Sequence, residues 1–329
     1  MGIVVIGAIF VDIKGFPAGA YISGGRNVGR VIQIHGGVSR NIAEDIANVE
    51  MRPTFVSVVD ESGISEDVLS KLRNHKIDTR FITKEKDGLG TWLAIFDNDG
   101  DVAASISKRP DISGIAKTLE EHGDEIFKNA DSIAIEIDVD REILHKVFEL
   151  AEKYNKDIYA VVSNMSIAVE RRDYIKRCAC FICNQAEAGI FFSDDYCDAT
   201  HEEMEKILCE NVKRAKIPCM IVTLGSLGAV YATVDGKSGY VPAKRVNVVD
   251  TTGAGDSFFA GVTLGLTYGK NLDEALNIGS RLAASVISTK DNVCPRFLPD
   301  EFGLNEAYLK CEEDFKKNCP EESAIYEEA

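Results

Sequence analysis

The residues best suited to chemistry lie together at 250–256, in the string DTTGAGD. A Gly-Ala-Gly loop that feeds a helix exposes backbone N–H groups with the positive end of the helix dipole behind them. Gly253, Ala254 and Gly255 therefore predict an anion site. Asp256 follows directly, and a carboxylate beside a bound phosphate is repulsive unless it must accept a proton. The spacing favours phosphoryl transfer, with Asp256 as base and the amides stabilising the transferred group. The alternative is an ordinary turn with an acid in the first helical turn.

The elements around this loop follow from the hydrophobic pattern. The apolar run 246–249 predicts the end of a strand. From Ser257 the pattern becomes helical, because Phe258, Val262 and Leu266 lie four residues apart on one face, which predicts a helix over 257–268. A strand, a glycine loop and a helix in that order would place the anion site where a strand ends.

A second polar group lies near the N-terminus. The run 2–11 is almost entirely apolar and predicts a central parallel strand, and Asp12 ends it, where open α/β sheets bind ligands. A solvated turn residue is the alternative for Asp12. Farther along, Gly36 and Gly37 permit close backbone approach, and Asn41 offers both a donor and an acceptor to a polyol. Taken alone, Asn41 is equally an N-cap.

Four strings in the chain resemble signatures of one family. DTTGAGDSFFAG is similar to the C-terminal signature of the ribokinase-like (PfkB) carbohydrate and nucleoside kinases, and GGVSRN to their N-terminal GGxxxN signature. NQAE at 184–187 and TLGSLG at 223–228 resemble their NxxE and TxGxxG motifs. The resemblance spans about residues 1–300. It implies that Asp256 is the catalytic base and that 253–256 form the anion hole.

The same resemblance implies sites for ATP and ions. Thr223, Gly225 and Gly228 would line the ATP phosphates and ribose, Asn184 would face the phosphates, and Glu187 would help to hold Mg²⁺ through water. By spacing alone, Asn184 and Glu187 form a common helix-start pattern. A helix predicted over 272–289 contributes further nucleotide contacts and, with the anion loop, a K⁺ site. The nucleotide contacts are Asn277 and Ile287; the K⁺ ligands are Asp250, Thr252 and carbonyls near 286–292.

Regular βα alternation from residue 112 onward, with helices predicted over 115–128, 141–154 and 167–176, predicts a parallel α/β fold. The resemblance specifies a ribokinase-like three-layer α/β/α architecture with a mostly parallel central sheet, in one domain over 1–329. Segments 13–34 and 88–108 predict a small β lid, which would exclude water from phosphoryl transfer. Thr91 and Trp92 on this lid are candidate substrate contacts, with lid packing as the alternative for Trp92. Because exposed lid strands can pair with another lid, a homodimer is expected.

Composition excludes several classes of partner. The 329 residues carry a net charge of −16, which argues against nucleic acid because binding to a phosphate backbone needs excess Lys and Arg. No apolar run approaches the length of a membrane helix. Nine cysteines without an export signal predict free thiols in the cytoplasm. The CxCxxC cluster at 178–183 fits buried strand cysteines better than a metal site.

The substrate is a finer question. The string GRNVGRVIQIHGGVSRNIAEDIA and the lid string TWLAIFDNDGDVAASI resemble pseudouridine kinases within the family. Arg40 would then be a substrate contact, although a surface arginine at a helix start is the alternative. Lys76 stands where the family usually has glycine, and Ser163-Asn164 where it usually has an acid or Asn-Pro. The prediction is an ATP-dependent kinase acting on the 5′-hydroxyl of pseudouridine, or of another nucleoside or sugar. A non-catalytic sensor has no use for Asp256, and a dinucleotide-binding domain lacks its GxGxxG after the first strand.

Overall fold

The computed structural model describes residues 2–318. Its main sheet has nine strands in the order β13-β12-β11-β10-β9-β8-β1-β4-β5, parallel from β11 to β5, with β12 and β13 added antiparallel at one edge. The strands of this sheet are β1 Ile3–Ile6, β4 Thr54–Val59, β5 Ile82–Lys84, β8 Ser132–Glu136, β9 Ile158–Val161, β10 Cys180–Asn184, β11 Cys219–Thr223, β12 Ala229–Thr233 and β13 Ser238–Val241. The predicted parallel α/β class is confirmed.

Helices cover both faces of this sheet. They are α1 Val38–Asn48, α2 Gly63–Asn74, α3 Ser113–Asn129, α4 Arg141–Tyr154, α5 Met165–Ala168, α6 Arg172–Ile175, α7 Gln185–Phe192, α8 His201–Ala215, α9 Ala254–Thr267, α10 Leu272–Ile287 and α11 Asn305–Asn318. Helices α3, α4, α7 and α8 pack on one face, and α1, α2, α9, α10 and α11 on the other. Within residues 2–318, no helix combines the length and apolarity that crossing a bilayer would need.

The central strands are apolar on both sides because each side has its own core. In β1, Val4 and Ile6 pack into the core under α3 and α4, whereas Ile3 and Val5 pack into the core under α1 and α9. Successive side chains of a strand point to opposite faces, so a doubly covered strand has no polar alternation. This is why the apolar sequence of Ile3–Ile6 predicts a central parallel strand, which the structure confirms for these four residues.

A separate four-stranded sheet forms the lid, in the order β3-β2-β6-β7. Its strands are β2 Phe10–Pro17, β3 Gly29–Gly36, β6 Gly90–Phe96 and β7 Val102–Lys108. The predicted lid segments are therefore strands of one sheet. The end of β3 leads directly through Gly37 into α1, so the lid is joined to the helix that carries Asn41.

Three sequence predictions of local structure are wrong. The run 2–11 is two strands, because the chain leaves the main sheet after Ile6 and enters the lid at Phe10. The helix predicted over 167–176 is broken into α5, a 3₁₀ turn and α6. The run 246–249 is no strand; its valines are exposed, and Val246 and Val248 line a cleft.

Candidate active site

The predicted site residues converge at the carboxyl ends of the parallel strands. Asn184 and Thr223 end the adjacent strands β10 and β11 and lie directly opposite each other in the register. Glu136 ends β8, next to β1. The loop that leads into α9 lies at the same edge, because Phe258 and Ala254 on α9 line one cleft with Thr223. Such edges are where open α/β sheets bind ligands.

The N-terminus of α9 is shaped for an anion. Its N-cap, Gly253, has φ +81° and no side-chain cap. A Cβ there would lie 2.1 Å from the Asn292 carbonyl oxygen, so only glycine fits this position. Within residues 2–318, no backbone hydrogen bond engages the N–H groups of Gly255 or Asp256, whereas the Ala254 amide, predicted as part of the anion site, already donates to the Thr251 carbonyl oxygen at 3.3 Å. A Cβ on Gly255 would meet open space. These free amides, with the helix dipole behind them, suit a phosphoryl group.

Asp256 lies in the first turn of α9 and is held by a residue distant in sequence. The Asn41 Nδ2 amide donates to Asp256 Oδ2 at 2.6 Å. Burial raises the pKa of Asp256 from an ordinary 3.8 to about 6, although the Asn41 hydrogen bond and the Arg40 charge oppose the rise. A carboxylate with this pKa is ionised at neutral pH yet basic enough to accept a proton from a hydroxyl. The prediction of a base beside an anion cradle therefore has a consistent geometry.

Arg40 is fully buried, so its interpretation as a surface arginine is wrong. Its guanidinium donates to Asn41 Oδ1, to the His35 carbonyl oxygen and to Glu44. The contact with Asn41 fixes the amide so that its NH₂ group faces Asp256. The buried charge is tolerated because Glu44 neutralises it, and Lys71 in turn lies 2.9 Å from Glu44. Arg40 thus positions Asn41, a role that its neighbours in sequence did not indicate.

Asn292 is a site residue that the sequence analysis missed. Its Nδ2 amide donates to Asn41 Oδ1 at 3.2 Å and to the His35 carbonyl oxygen at 2.8 Å, and its own carbonyl oxygen packs against Gly253. Asn292 therefore joins the loop after α10 to both Asn41 and the anion cradle. From the sequence, only carbonyl groups of this segment were expected at the site, and no motif pointed to the Asn292 side chain.

The lid presents one of its faces to the anion loop. Asp12 and Trp92 are opposite each other in the register and share that face with Lys14. Asp12 lies near the Gly36 Cα. The pKa of Asp250 is lowered mainly by a hydrogen bond from the Thr252 amide, and the positive charge of Lys14 lowers it further, so Lys14 lies close to the anion loop. Burial raises the pKa of Asp12. This face therefore looks into the space above α9.

Thr91 lies on the other face of the lid. It pairs with Val11 in the register, one residue out of phase with Asp12, so Thr91 and Asp12 cannot face the same ligand. Asp12 itself does not end the first central strand but lies within β2. Lys14 was also missed as a candidate, although its position two residues after Asp12 in a strand was a usable signal.

An apolar cleft of about 650 Å³ opens beside the anion cradle. Exposed valines of the 243–248 segment form one wall and small residues of α10 the other. Its lining includes Thr223, Gly225, Gly228, Val246, Val248, Gly255, Phe258, Ala283, Ala284 and Ile287. Flat apolar walls with a phosphate cradle at one end suit a nucleotide. Asn277 is not among the lining residues; its side chain caps the Asp273 carbonyl and lies 3.4 Å from Lys244 at a neighbouring groove.

The predicted Mg²⁺ site at Asn184 and Glu187 and the predicted K⁺ site at Asp250 and Thr252 lie in different local structures. Asn184 and Glu187 form a reciprocal capping box at the start of α7, which is the simple helix-start interpretation of their spacing. Glu187 is half-buried, and burial raises its pKa. Asp250 accepts from the Thr252 amide at 2.9 Å, and the Val249 amide donates to the Ile287 carbonyl at 2.7 Å. The structure thus brings 250–252 beside the end of α10, as a site shared by these segments requires.

Two buried acids outside the predicted set lie near this centre. Glu136 accepts from the Ser39 amide at 3.1 Å, and burial, with Asp138 as the second cause, raises its pKa to about 7. Asp45 accepts from Ser257 Oγ at 2.7 Å and from the Cys294 amide at 2.6 Å, and burial raises its pKa to about 7. Both acids tie α1 to the elements on either side of it.

The cysteines of the 178–183 cluster are buried core residues and not metal ligands within residues 2–318. Cys178, Cys180 and Cys183 are buried, and among the residues that the structure describes no group of His, Cys, Asp and Glu side chains is arranged to hold a metal ion. Burial raises the pKa of the Cys178 thiol, so these thiols stay protonated and pack as small apolar side chains.

The fold and the site together define a nucleotide-dependent phosphotransferase: a parallel α/β sheet, an uncapped helix N-terminus beside a carboxylate, and a lid over both. The family comparison agrees. The model of the pfkB family of carbohydrate kinases matches residues 2–294. The chain therefore belongs to the pfkB family of carbohydrate kinases, and it is an ATP-dependent phosphotransferase that acts on a hydroxyl group.

Individual relatives lie within the same family. A guanosine-inosine kinase of Exiguobacterium acetylicum is 35% identical over 301 residues, which is 90% of this chain and 98% of that protein. A pseudouridine kinase of Escherichia coli is 22% identical over 87% of this chain and 90% of its own length. The structure of Arabidopsis thaliana ribokinase complexed with ribose and ATP superposes with a TM-score of 0.77 at 18% identity, covering 94% of this chain and 97% of that one. This last likeness shows the ribokinase-like fold.

Proposed function

We propose that the chain transfers the γ-phosphoryl group of ATP to the 5′-hydroxyl of a ribonucleoside, with the purine nucleosides guanosine and inosine as first candidates. The observation that carries this proposal is the Asn41–Asp256 hydrogen bond beside the free amides of α9. This hydrogen bond holds a carboxylate of raised pKa beside those amides, which supports Asp256 as the base that receives the hydroxyl proton. The purine preference is supported by the guanosine-inosine kinase relative.

In the proposed reaction the 5′-oxygen attacks the γ-phosphorus, and the bond from that phosphorus to the β,γ-bridging oxygen breaks. The hydroxyl proton passes to Asp256. The N–H groups of Gly255 and Asp256 would stabilise charge on the transferred phosphoryl oxygens, with the α9 dipole behind them. Gly253 lets the loop turn tightly against Asn292 so that these amides face the cleft. The lid would exclude water, which otherwise competes as an acceptor.

The lid face supports a nucleoside rather than a plain sugar. Asp12 on this face can accept hydrogen bonds from ribose hydroxyls, together with Asn41 and the backbone at Gly36 and Gly37. Trp92 lies directly beside Asp12, and an aromatic ring next to the sugar site can stack a base. Phe96 packs edge-on to Trp92 with ring centroids 6.4 Å apart and holds the indole in place.

ATP would occupy the apolar cleft, with its base between the 243–248 segment and α10 and its phosphates toward Gly225, Gly228 and α9. Asn184, beside Thr223 in the register, lies at the phosphate end of this arrangement. Mg²⁺ would supply charge neutralisation of the ATP oxygens, with Glu187 reaching it through water. K⁺ at Asp250, Thr252 and the nearby carbonyls would stabilise the anion loop from behind. Asn277 has no role here because it lies at a neighbouring groove and not in the apolar cleft. Thr91 has none because it lies on the lid face opposite to Asp12.

Pseudouridine is the second candidate. The GGVSRNIA string and the pseudouridine kinase relative support it, but Arg40 no longer does, because this residue is buried behind Asn41. The two candidates share a ribose with a 5′-hydroxyl and differ only in the base, so the residues that handle the sugar and the phosphate are the same in both.

The test is a phosphorylation panel with the full chain, ATP and Mg²⁺, in which guanosine, inosine, pseudouridine, uridine, ribose and fructose compete. We expect nucleosides to be phosphorylated with higher kcat/KM than free sugars, and purine nucleosides most of all. Asp256→Asn should retain nucleotide binding and lose turnover by about 10³-fold or more. Near-normal turnover of Asp256→Asn would remove this residue as the base.

We also propose that two lids associate in a homodimer. Val31, Leu93, Ile95 and Ile106 share the lid face opposite to Asp12, and Val31 and Ile106 are 72% and 70% exposed. Exposed apolar residues on open strands are a dimerisation surface. The cytoplasmic location is a further expectation, supported by the eight free cysteines within the described residues.

A further inference from the structure

Lys14 on the lid is a cation without an anionic partner. It lies on β2, an interior strand of the lid sheet, and shares one face of that sheet with Asp12 and Trp92. The Lys14 Nζ lies 5.8 Å from the centroid of the Trp92 ring. Within residues 2–318 its ammonium group takes part in no ion pair and donates no hydrogen bond. Because an ammonium group that is partly withdrawn from water favours a counterion, Lys14 has the capacity to bind an anion.

The neighbours of Lys14 in the lid sheet are apolar. Across the register, Lys14 lies opposite Ile32 on β3 and Ala94 on β6, and paired residues of adjacent strands share a face. Ala94 is fully buried, and Ile32 and Lys14 are half-buried. These side chains support the aliphatic stem of Lys14 and offer its ammonium group no acceptor. The charge at the tip of Lys14 is therefore available to a ligand.

The face that carries Lys14 adjoins the elements that hold the catalytic carboxylate. Asp12 lies beside Gly36, where an added Cβ would be 3.2 Å from Asp12 Oδ1. Gly36 ends β3 just before α1, and Asn41 on that helix donates to Asp256. Burial raises the pKa of Asp12, and the charge of Lys14 opposes this rise. Lys14 therefore lies in the part of the lid that leads into the site of phosphoryl transfer.

Lys14 is also close to the loop that precedes α9. The pKa of Asp250 is lowered mainly by the hydrogen bond from the Thr252 amide, and the charge of Lys14 acts in the same direction. Asp250 and Thr252 begin the loop that ends with the free amide of Gly255. The lid thus brings a positive charge to the anion cradle, and this charge comes from a segment more than 200 residues away in sequence.

Phosphoryl transfer has a use for a cation at this place. The transferred group carries negative charge on its equatorial oxygens in the transition state. The amides of Gly255 and Asp256 are neutral donors, and Arg40 is fully buried with its charge neutralised by Glu44. A fixed cation directed at developing charge stabilises the transition state more than it stabilises the free substrates. Lys14 would supply the positive charge that these groups do not.

We propose that the Lys14 ammonium group donates a hydrogen bond to an oxygen of the transferred phosphoryl group. Lys14 keeps its protons throughout: the bond from the acceptor oxygen to the γ-phosphorus forms, the bond from that phosphorus to the β,γ-bridging oxygen breaks, and the hydroxyl proton passes to Asp256. Lys14 is then a catalytic residue that stabilises charge, and Asp256 is the base. The inference rests on the acceptor site proposed above, but it does not depend on the base of the nucleoside, because every acceptor receives the same phosphoryl group.

The kinetic test compares Lys14→Gln, which removes the charge, with Lys14→Arg, which retains it. Lys108→Gln is the matched control, because Lys108 pairs with Thr91 in the register and lies on the opposite face of the same sheet. With ATP and Mg²⁺ saturating, kcat and KM are measured for ribose and for the acceptor that the phosphorylation panel ranks first. We expect kcat to fall about 10-fold to 100-fold in Lys14→Gln with both acceptors, less than about fivefold in Lys14→Arg, and not at all in Lys108→Gln.

A binding measurement tests the same contact without turnover. The chain is titrated calorimetrically with the preferred acceptor and, separately, with its 5′-phosphate; guanosine and guanosine 5′-monophosphate are the expected pair. ADP saturates the donor cleft, and Mg²⁺ is left out so that no phosphoryl group is transferred. We expect Lys14→Gln to weaken binding of the 5′-phosphate about fivefold to tenfold and binding of the unphosphorylated acceptor less than about twofold. Thermal melting verifies that each variant is folded.

The inference is overturned by near-normal kcat in Lys14→Gln, by an equal loss in Lys108→Gln, or by equal weakening of the acceptor and its 5′-phosphate. A rise in KM confined to a nucleoside, with kcat and ribose unaffected, would assign Lys14 to the base beside Trp92 and would also overturn it. Failure of the purine nucleoside proposal is seen separately, as preference of the original chain for another acceptor. The Lys14 comparison is then made with that acceptor and its phosphate.

Discussion

The contact between Asn41 and Asp256 makes a quantitative prediction about pH. A deprotonated Asp256 is needed to accept the hydroxyl proton, so kcat/KM should fall below a midpoint near the pKa of about 6. The Asn41 amide stabilises the charged carboxylate at 2.6 Å. Asn41→Ala removes that stabilisation while burial, which raises the pKa, stays. The acid limb of the profile should therefore move to higher pH.

The size of the shift follows from the hydrogen bond. A hydrogen bond to a charged group contributes about 1.5–3 kcal/mol, and about 1.4 kcal/mol corresponds to one pKa unit. Water can enter the space that the amide leaves and recover part of this energy, so we expect a shift of about one unit, to a midpoint near about pH 7. Loss of a substrate contact would lower kcat/KM at every pH without moving the midpoint. The pH profile therefore distinguishes a role of Asn41 in setting the pKa of Asp256 from a role in binding the substrate.

The assay is kcat/KM for the preferred nucleoside from about pH 5 to pH 9, with ATP saturating. Asn48→Ala is the control, because Asn48 lies on the same helix and bonds to the Cys294 carbonyl at 2.6 Å and to His75 rather than to Asp256. Its midpoint should stay in place. An unchanged midpoint in Asn41→Ala, or an equal shift in Asn48→Ala, would show that the amide does not control the pKa of Asp256.

Three further predictions follow from contacts outside the base. Trp92→Ala should raise KM for a nucleoside by about 5-fold to 100-fold and leave free ribose unaffected, because only the nucleoside has a base to stack; equal effects on both would argue against stacking. Glu136→Gln should raise the melting temperature at pH 8 but not near pH 4. The pKa of Glu136 is about 7 in the folded protein and 4.5 ordinarily, so the ionised carboxylate lowers the stability of the fold at high pH by up to about 3 kcal/mol. Below pH 4.5 the group is protonated in both states and this cost disappears. A gain in melting temperature that is the same at pH 8 and pH 4 would contradict this. Ile106→Glu on the lid should yield a monomer in light scattering, whereas Ile190→Glu, exposed on α7, should not; a dimer that survives Ile106→Glu would exclude the lid as its interface.

The sequence determined what depends on local order along the chain. The Gly-Ala-Gly-Asp string specifies a tight turn, free amides and an acid in one helical turn, because all three depend on residues that are neighbours in sequence. Continuous apolar runs determined the parallel sheet, because a strand covered on both faces needs no polar positions. The lid followed from turn and strand patterns in the same way.

Only the tertiary structure decided what depends on contact between distant segments. Asn41 and Asp256 are 215 residues apart, and no local pattern states that the amide of one will face the carboxylate of the other. Arg40 lies on α1, which packs against α9 more than 200 residues later in the chain, and Glu44 neutralises its buried charge. Trp92 shares the lid face of Asp12 and Thr91 does not, because pairing with β2 sets the phase of the strand. The run 246–249 belongs to neither sheet, and Val246 and Val248 instead line the cleft beside α9 and α10.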